Sequence, residues 1–189
     1  MRHFVSVILL VALSGPLAAS GDDSVTHGSN AQDRHHEYSG LQQREITSLS
    51  EEELEDLRAG RGMGFALPAE LNGYPGPRHV LDLADELELT EEQIEQTRRL
   101  FEDMQQEAIA AGEFYIERER EVDAVFADDN ASKAEVDAAT QAAAEAQGRL
   151  RAVHLRYHLK MTELLTRHQI HEYQQERGYG GDGGHHHHH

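Results

Sequence analysis

Two apolar stripes of nearly equal length, divided by one short polar turn, constrain this chain more than any other feature. Ile94, Thr97, Phe101, Met104, Ala108, Ala111, Tyr115, Arg118, Val122 and Val125 follow one another at spacings of three and four without a break. The rhythm resumes after Asp128-Asp129-Asn130, at Val136, Ala139, Ala143, Ala146, Leu150, Val153, Tyr157, Lys160 and Leu164. Such spacing places each set on one face of an α-helix as a coiled-coil seam, diluted here by Thr97, Arg118 and Lys160. The first helix is predicted from Glu91 to about Ala127, and Ser132 with Glu135 opens the second. A turn this short leaves the two helices no choice but to fold back as an antiparallel hairpin. The Ala-rich stretch 138–146 lies near that turn, where small side chains allow close approach. At 1.5 Å per residue each rod would run roughly 50 Å. That exceeds what a compact monomer of this size needs, so a cradle-like or coiled-coil homodimer is expected.

Helix starts are written just as plainly. The pentapeptides Leu89-Thr90-Glu91-Glu92-Gln93 and Leu165-Thr166-Arg167-His168-Gln169 both place Gln three residues after Thr. In that spacing the Thr hydroxyl accepts from the backbone N–H three residues on, while the Gln side chain reaches back to the Thr N–H. Each copy therefore caps a helix. Ser50 with Glu53 makes a further box, starting a short acidic helix through Leu54 and Leu57 that Gly60 stops. Pro77 sits where another short helix can begin, with Val80, Leu81, Ala84 and Leu87 on one face. Between them runs a loop rich in Gly and Pro, in which Phe65, Leu67, Leu71 and Tyr74 provide apolar surface to pack along a helix. No strand precedes its glycines and no Gly-Lys-Ser/Thr follows, so they mark turns rather than a phosphate site.

The ends and the composition narrow the class. Arg2 and His3, an apolar stretch over 4–13 and small residues over 14–20 read as an export signal cleaved near Ser20. Its apolar core is about ten residues, half of what a bilayer span requires, so no membrane insertion is expected once it is removed. Residues 21–49 then form a flexible N-terminal arm, 50–77 the short helix and loop, and 78–178 the main helical domain. The tail 179–189 ends in five His, either a purification tag or a native metal-buffering segment. With no cysteine there is no disulfide, no lipid-modified Cys and no thiolate metal site. Seventeen basic residues against 35 acidic give a formal charge of -18, which repels nucleic acid and attracts cations. Such acidity is also the ordinary mark of a solvated surface.

The histidines carry the chemistry. His154, His158 and Met161 follow spacings of four and three on the second long helix, and antiparallel pairing sets Met104 opposite His154. Imidazole and thioether together suit Cu, Ni, Co or Zn, whereas Ca and Mg want oxygen. His168 and His171 stand one turn apart on the last helix, a second and weaker pair of candidate metal ligands, and His79 is a further one. Against this, a methionine in a seam is commonly core filler, and histidines among many carboxylates are commonly just hydrogen-bonded. No organic cofactor motif is present. No nucleophile elbow, cysteine nucleophile or singled-out carboxylate pair points to catalysis, so the chain is expected not to be an enzyme.

The paired pentapeptides, at 89–93 and 165–169, resemble the LTxxQ signature of the Spy/CpxP family of small periplasmic helical proteins, whose heavy-metal relatives include ZraP and CnrX. The resemblance spans 81–178 in the order short helix, long helix, long helix, short helix. It implies a periplasmic antiparallel dimer serving metal or envelope-stress response, with a membrane sensor or regulator as partner and His154, His158 and Met161 as the nearest match to helix-borne metal ligands. Its alternative implication is an ATP-independent chaperone that shields unfolded client proteins. The acidity of this chain departs from the basic client-binding cradle of Spy.

Overall fold

The computed structural model describes residues 38–127 and 129–179, and among these residues every regular element is a helix. The stretch read as an export signal, most of the segment read as an N-terminal arm and the run of His at 185–189 lie outside the described residues. Six α-helices follow in order: α1, Glu51–Arg58; α2, Leu67–Glu70; α3, Pro77–Asp82; α4, Glu91–Ala127; α5, Lys133–Leu164; and α6, Arg167–Glu176. α4 and α5, of 37 and 32 residues, pack side by side as the antiparallel pair that the two stripes imply. No helix among the described residues is long and apolar enough to cross a membrane.

The seam is buried along its middle and thins toward the turn. Met104, Ala108 and Tyr115 of α4 meet Ala146, Leu150, Val153 and Tyr157 of α5 in one core. Val122, Val125, Val136 and Ala139 near the turn are only half-buried, and Phe126 is 65% exposed. Lys160 lies outside the core, its ammonium 3.8 Å from the centre of the Tyr157 ring. One further layer covers the middle of α4: α1 contributes Leu54 and Leu57, and the strand-free segment before it contributes Ile46 and Leu49. Ile46 and Leu49, counted with the arm in the sequence, are thus part of the core, while Thr47 and Ser48 between them stay exposed. The approach of α1 to α4 is close enough to require glycine at position 112, where a Cβ would stand 2.7 Å from the Leu57 carbonyl oxygen.

All four capping boxes form. Ser50 with Glu53, Ser132 with Glu135, Thr90 with Gln93 and Thr166 with Gln169 each exchange the two expected hydrogen bonds. The two glutamines then do something their spacing alone does not reveal. Gln93 Nε2 donates to Gln169 Oε1 at 2.9 Å and Gln169 Nε2 donates to Gln93 Oε1 at 3.0 Å, a reciprocal amide pair. Each also crosses to the other repeat's neighbourhood, Gln93 to the Leu164 carbonyl and Gln169 to that of Leu87. The two pentapeptides therefore close the open end of the hairpin against each other. A second apolar cluster surrounds this joint, built on Val80, Leu87, Met161, Leu165 and Tyr173.

Candidate functional site

A cavity of about 470 Å³ lies between the 60–79 segment and the pair α4, α5. The sequence builds its wall in three steps. Gly60, at φ +66°, ends α1 with the paired bonds of a Schellman motif: its N–H donates to Leu57 and that of Arg61 to Asp56. The chain then crosses α4 at Met104 and Gln105, with Gln105 Nε2 donating to the Ala59 carbonyl. After the single turn of α2 it returns across α5 through buried Pro75, Gly76 and Pro77. Gly76 is packed on His158: a Cβ there would be 2.9 Å from Cε1 of the ring. The outer face of the loop differs from expectation, for Phe65 packs inward while Leu67 and Leu71 are 53% and 59% exposed.

His154, His158 and Met104 all line this cavity. His154 is 2% exposed, its ring lies nearly parallel to that of Phe65 with centroids 6.1 Å apart, and its Nε2 has no hydrogen-bond partner. Burial, and then the neighbouring His158, lower its pKa, so the imidazole is held neutral. His158 Nδ1 stands 2.7 Å from the Tyr74 carbonyl oxygen. A carbonyl can only accept, so Nδ1 carries the hydrogen and the neutral ring keeps its lone pair on Nε2. A backbone carbonyl on one ring nitrogen is the usual outer support of an imidazole that binds through the other. Met161 is placed elsewhere: it is fully buried in the second apolar cluster and does not line the cavity. His168 and His171 are exposed on α6, the first 3.8 Å from Glu172 and the second accepting from Gln175.

The sequence did not single out Glu70, which lines the same cavity and is 5% exposed. Its Oε1 accepts from the hydroxyls of Tyr173 and Tyr179 and from His79 Nδ1 at 3.1 Å, with Arg177 Nε 3.4 Å away. Its Oε2 has no hydrogen-bond partner and stands 3.7 Å from His158 Nδ1. Burial alone would raise this carboxyl, but the hydrogen bonds from His79 and Tyr173 hold it below the usual range. The Tyr173 hydroxyl is pushed up in turn by burial and by Glu70. A signal was available: between Arg61 and Arg78, Glu70 is the one charged residue. His79 belongs to the same group, since the carboxylate fixes its Nδ1 as the donor and leaves its Nε2 lone pair free.

The arrangement thus gathers lone-pair donors of neutral imidazole, thioether and carboxylate around one apolar space. Among the described residues no three His, Asp or Glu side chains stand together closely enough to hold a metal ion by themselves. Comparison with models of known protein families, with curated proteins and with solved structures returns no match.

Proposed function

We propose that the chain is an exported, periplasmic, non-enzymatic helical protein that takes a transition-metal ion into this cavity, as a sensor or buffer in metal or envelope-stress response. His154 and His158 supply nitrogen and Met104 sulfur, a set suited to Cu first and Ni or Co next. The observation that carries this reading is the orphaned Nε2 of His154. A buried polar atom without a partner costs about 1–3 kcal/mol, and an apolar residue would avoid that cost unless something binds there. The acidic surface, formally -18, favours the approach of cations.

Titration calorimetry on full-length protein with His185 to His189 each replaced by Ala tests this directly. One equivalent of Cu(II) or Ni(II) should bind, and the pair His154→Ala with His158→Ala should abolish it; uptake that survives the double change removes the assignment. A second reading, ATP-independent shielding of unfolded clients, draws on the exposed Leu67, Leu71 and Tyr74 of the same segment. It predicts suppression of client aggregation with metal chelated, unaffected by the histidine changes.

A further inference from the structure

The cavity is far larger than an ion needs. At about 470 Å³ it falls within the range of roughly 300–1,000 Å³ common to pockets that enclose small organic molecules. Much of its wall is apolar, with Met63, Ala66, Phe101 and Met104 lining it. Met63 is placed there against the preference of its backbone. Met63 and Gly64, at φ +44° and +74°, are the central residues of a type I′ turn closed by the Phe65 N–H on the Gly62 carbonyl at 2.8 Å. Asn, Asp or Gly usually fills such a position, whereas Met supplies a long, adaptable apolar chain, half-buried on the cavity wall.

Two cations line the same space. Arg61 and Arg78 each hold an acid, Asp56 and Asp82 respectively, through Nε, and make no other hydrogen bond or ion pair among the described residues. Their side chains are 54% and 65% exposed, so these pairs are weak. Both terminal amino groups of each guanidinium are left to donate, in the planar fork that matches a carboxylate. Arg78 also lies over the Phe101 ring, 5.9 Å from its centre, which sets one of these forks beside the apolar wall. Glu70 lines the cavity too, but its charge is already met by Arg177 at 3.4 Å and by hydrogen bonds from Tyr173 and His79. Unclaimed guanidinium donors beside an apolar space set this place apart on a chain of formal charge -18.

We infer that the cavity receives a small apolar monocarboxylate, its hydrocarbon body against Met63, Phe101 and Met104 and its carboxylate on the guanidinium groups of Arg61 and Arg78. Burial of the hydrocarbon drives entry, and the arginines select the sign of the charge. The inference is independent of the metal reading, since it uses no imidazole nitrogen.

Titration calorimetry of decanoate into the full chain with His185 to His189 changed to Ala, with chelator present, tests it. One equivalent should bind. Acetate, which lacks the apolar body, should not, and decylammonium, of equal length and opposite charge, should bind about tenfold more weakly or worse although the chain as a whole is acidic. Arg61→Gln with Arg78→Gln, both at exposed positions, should weaken decanoate by about tenfold or more. Ala66→Phe, at a half-buried position on the wall, should fill the space and block uptake; if it fails to fold by circular dichroism, the arginine pair decides. Equal affinity for decanoate and decylammonium, several equivalents bound regardless of the arginine change, or no uptake overturns the inference. So does a peptide ending in Leu that binds through Arg61 and Arg78 where decanoate does not. None of these results touches the metal reading, which is decided by Cu(II) and the change of His154 and His158.

Discussion

Replacing His154 by Leu should make the protein without metal more stable. His154 is 2% exposed, lies against an apolar cavity and leaves Nε2 without a partner, so folding strips that nitrogen of water and returns nothing. The cost of such an orphan is about 1–3 kcal/mol. Leu loses the parallel contact with Phe65, of the order of 0.5–1 kcal/mol, but keeps an apolar body of similar bulk. The balance favours the variant by about 1 kcal/mol, which at ~1–3 kcal/mol/M in urea raises the unfolding midpoint by roughly 0.3–1 M. Urea unfolding followed by far-UV circular dichroism, with chelator present, measures it. Acidity supplies a second reading of the same atom. Burial lowers the folded-state pKa of His154 below its ordinary value of 6.5, so the unfolded chain takes up the proton first. Its contribution to stability is therefore complete above 6.5 and is lost as pH falls through that value toward the lowered one. Wild type should weaken over this window more steeply than His154→Leu. A variant that is less stable than wild type by 1 kcal/mol or more, or equally steep with pH, would refute the reasoning and make His154 an ordinary core residue.

Two glycines on the hairpin should respond oppositely to the same change. Gly112→Ala drives a Cβ to 2.7 Å from the Leu57 carbonyl, forcing α1 off α4, and should lose about 1–3 kcal/mol, a fall of several degrees in thermal midpoint. Gly148→Ala, with nothing within 4 Å of the added carbon, should gain about 0.5–1 kcal/mol from helix propensity alone. Gln169→Ala breaks the cap of α6, the amide pair with Gln93 and the bond to the Leu87 carbonyl, and should cost about 2–3 kcal/mol by urea unfolding, against ~1 kcal/mol for the exposed cap change Ser132→Ala.

The helices were legible because their signals are local. Spacings of three and four locate α4 and α5, four capping boxes locate four helix starts, and Asp129-Asn130 locates the turn. What covers the hairpin was not legible, because it depends on contacts between residues tens of positions apart. Ile46 and Leu49 reach the core from a polar stretch, and α2 is a single turn whose outer leucines face solvent although their type suggests burial. The site divides the same way. His154, His158 and Met104 are brought to one cavity, as helix periodicity and antiparallel register imply, while one further turn of α5 carries Met161 out of it and into the apolar joint of α3 and α6. Glu70 gave no periodic signal, being one of 35 acidic residues; its isolation between Arg61 and Arg78 was the one mark in the sequence, and its burial is what separates it in the structure. The glutamines of the pentapeptides were legible as caps but not as each other's partners, since pairing across 76 positions leaves no mark in either segment.

X-ray absorption spectroscopy at the copper or nickel edge, on full-length protein with His185 to His189 changed to Ala and one equivalent of metal, tests the proposed site most directly. The account predicts imidazole scattering from His154 and His158 together with a sulfur shell that vanishes in Met104→Leu. A shell of oxygen alone, unchanged by Met104→Leu, would contradict it.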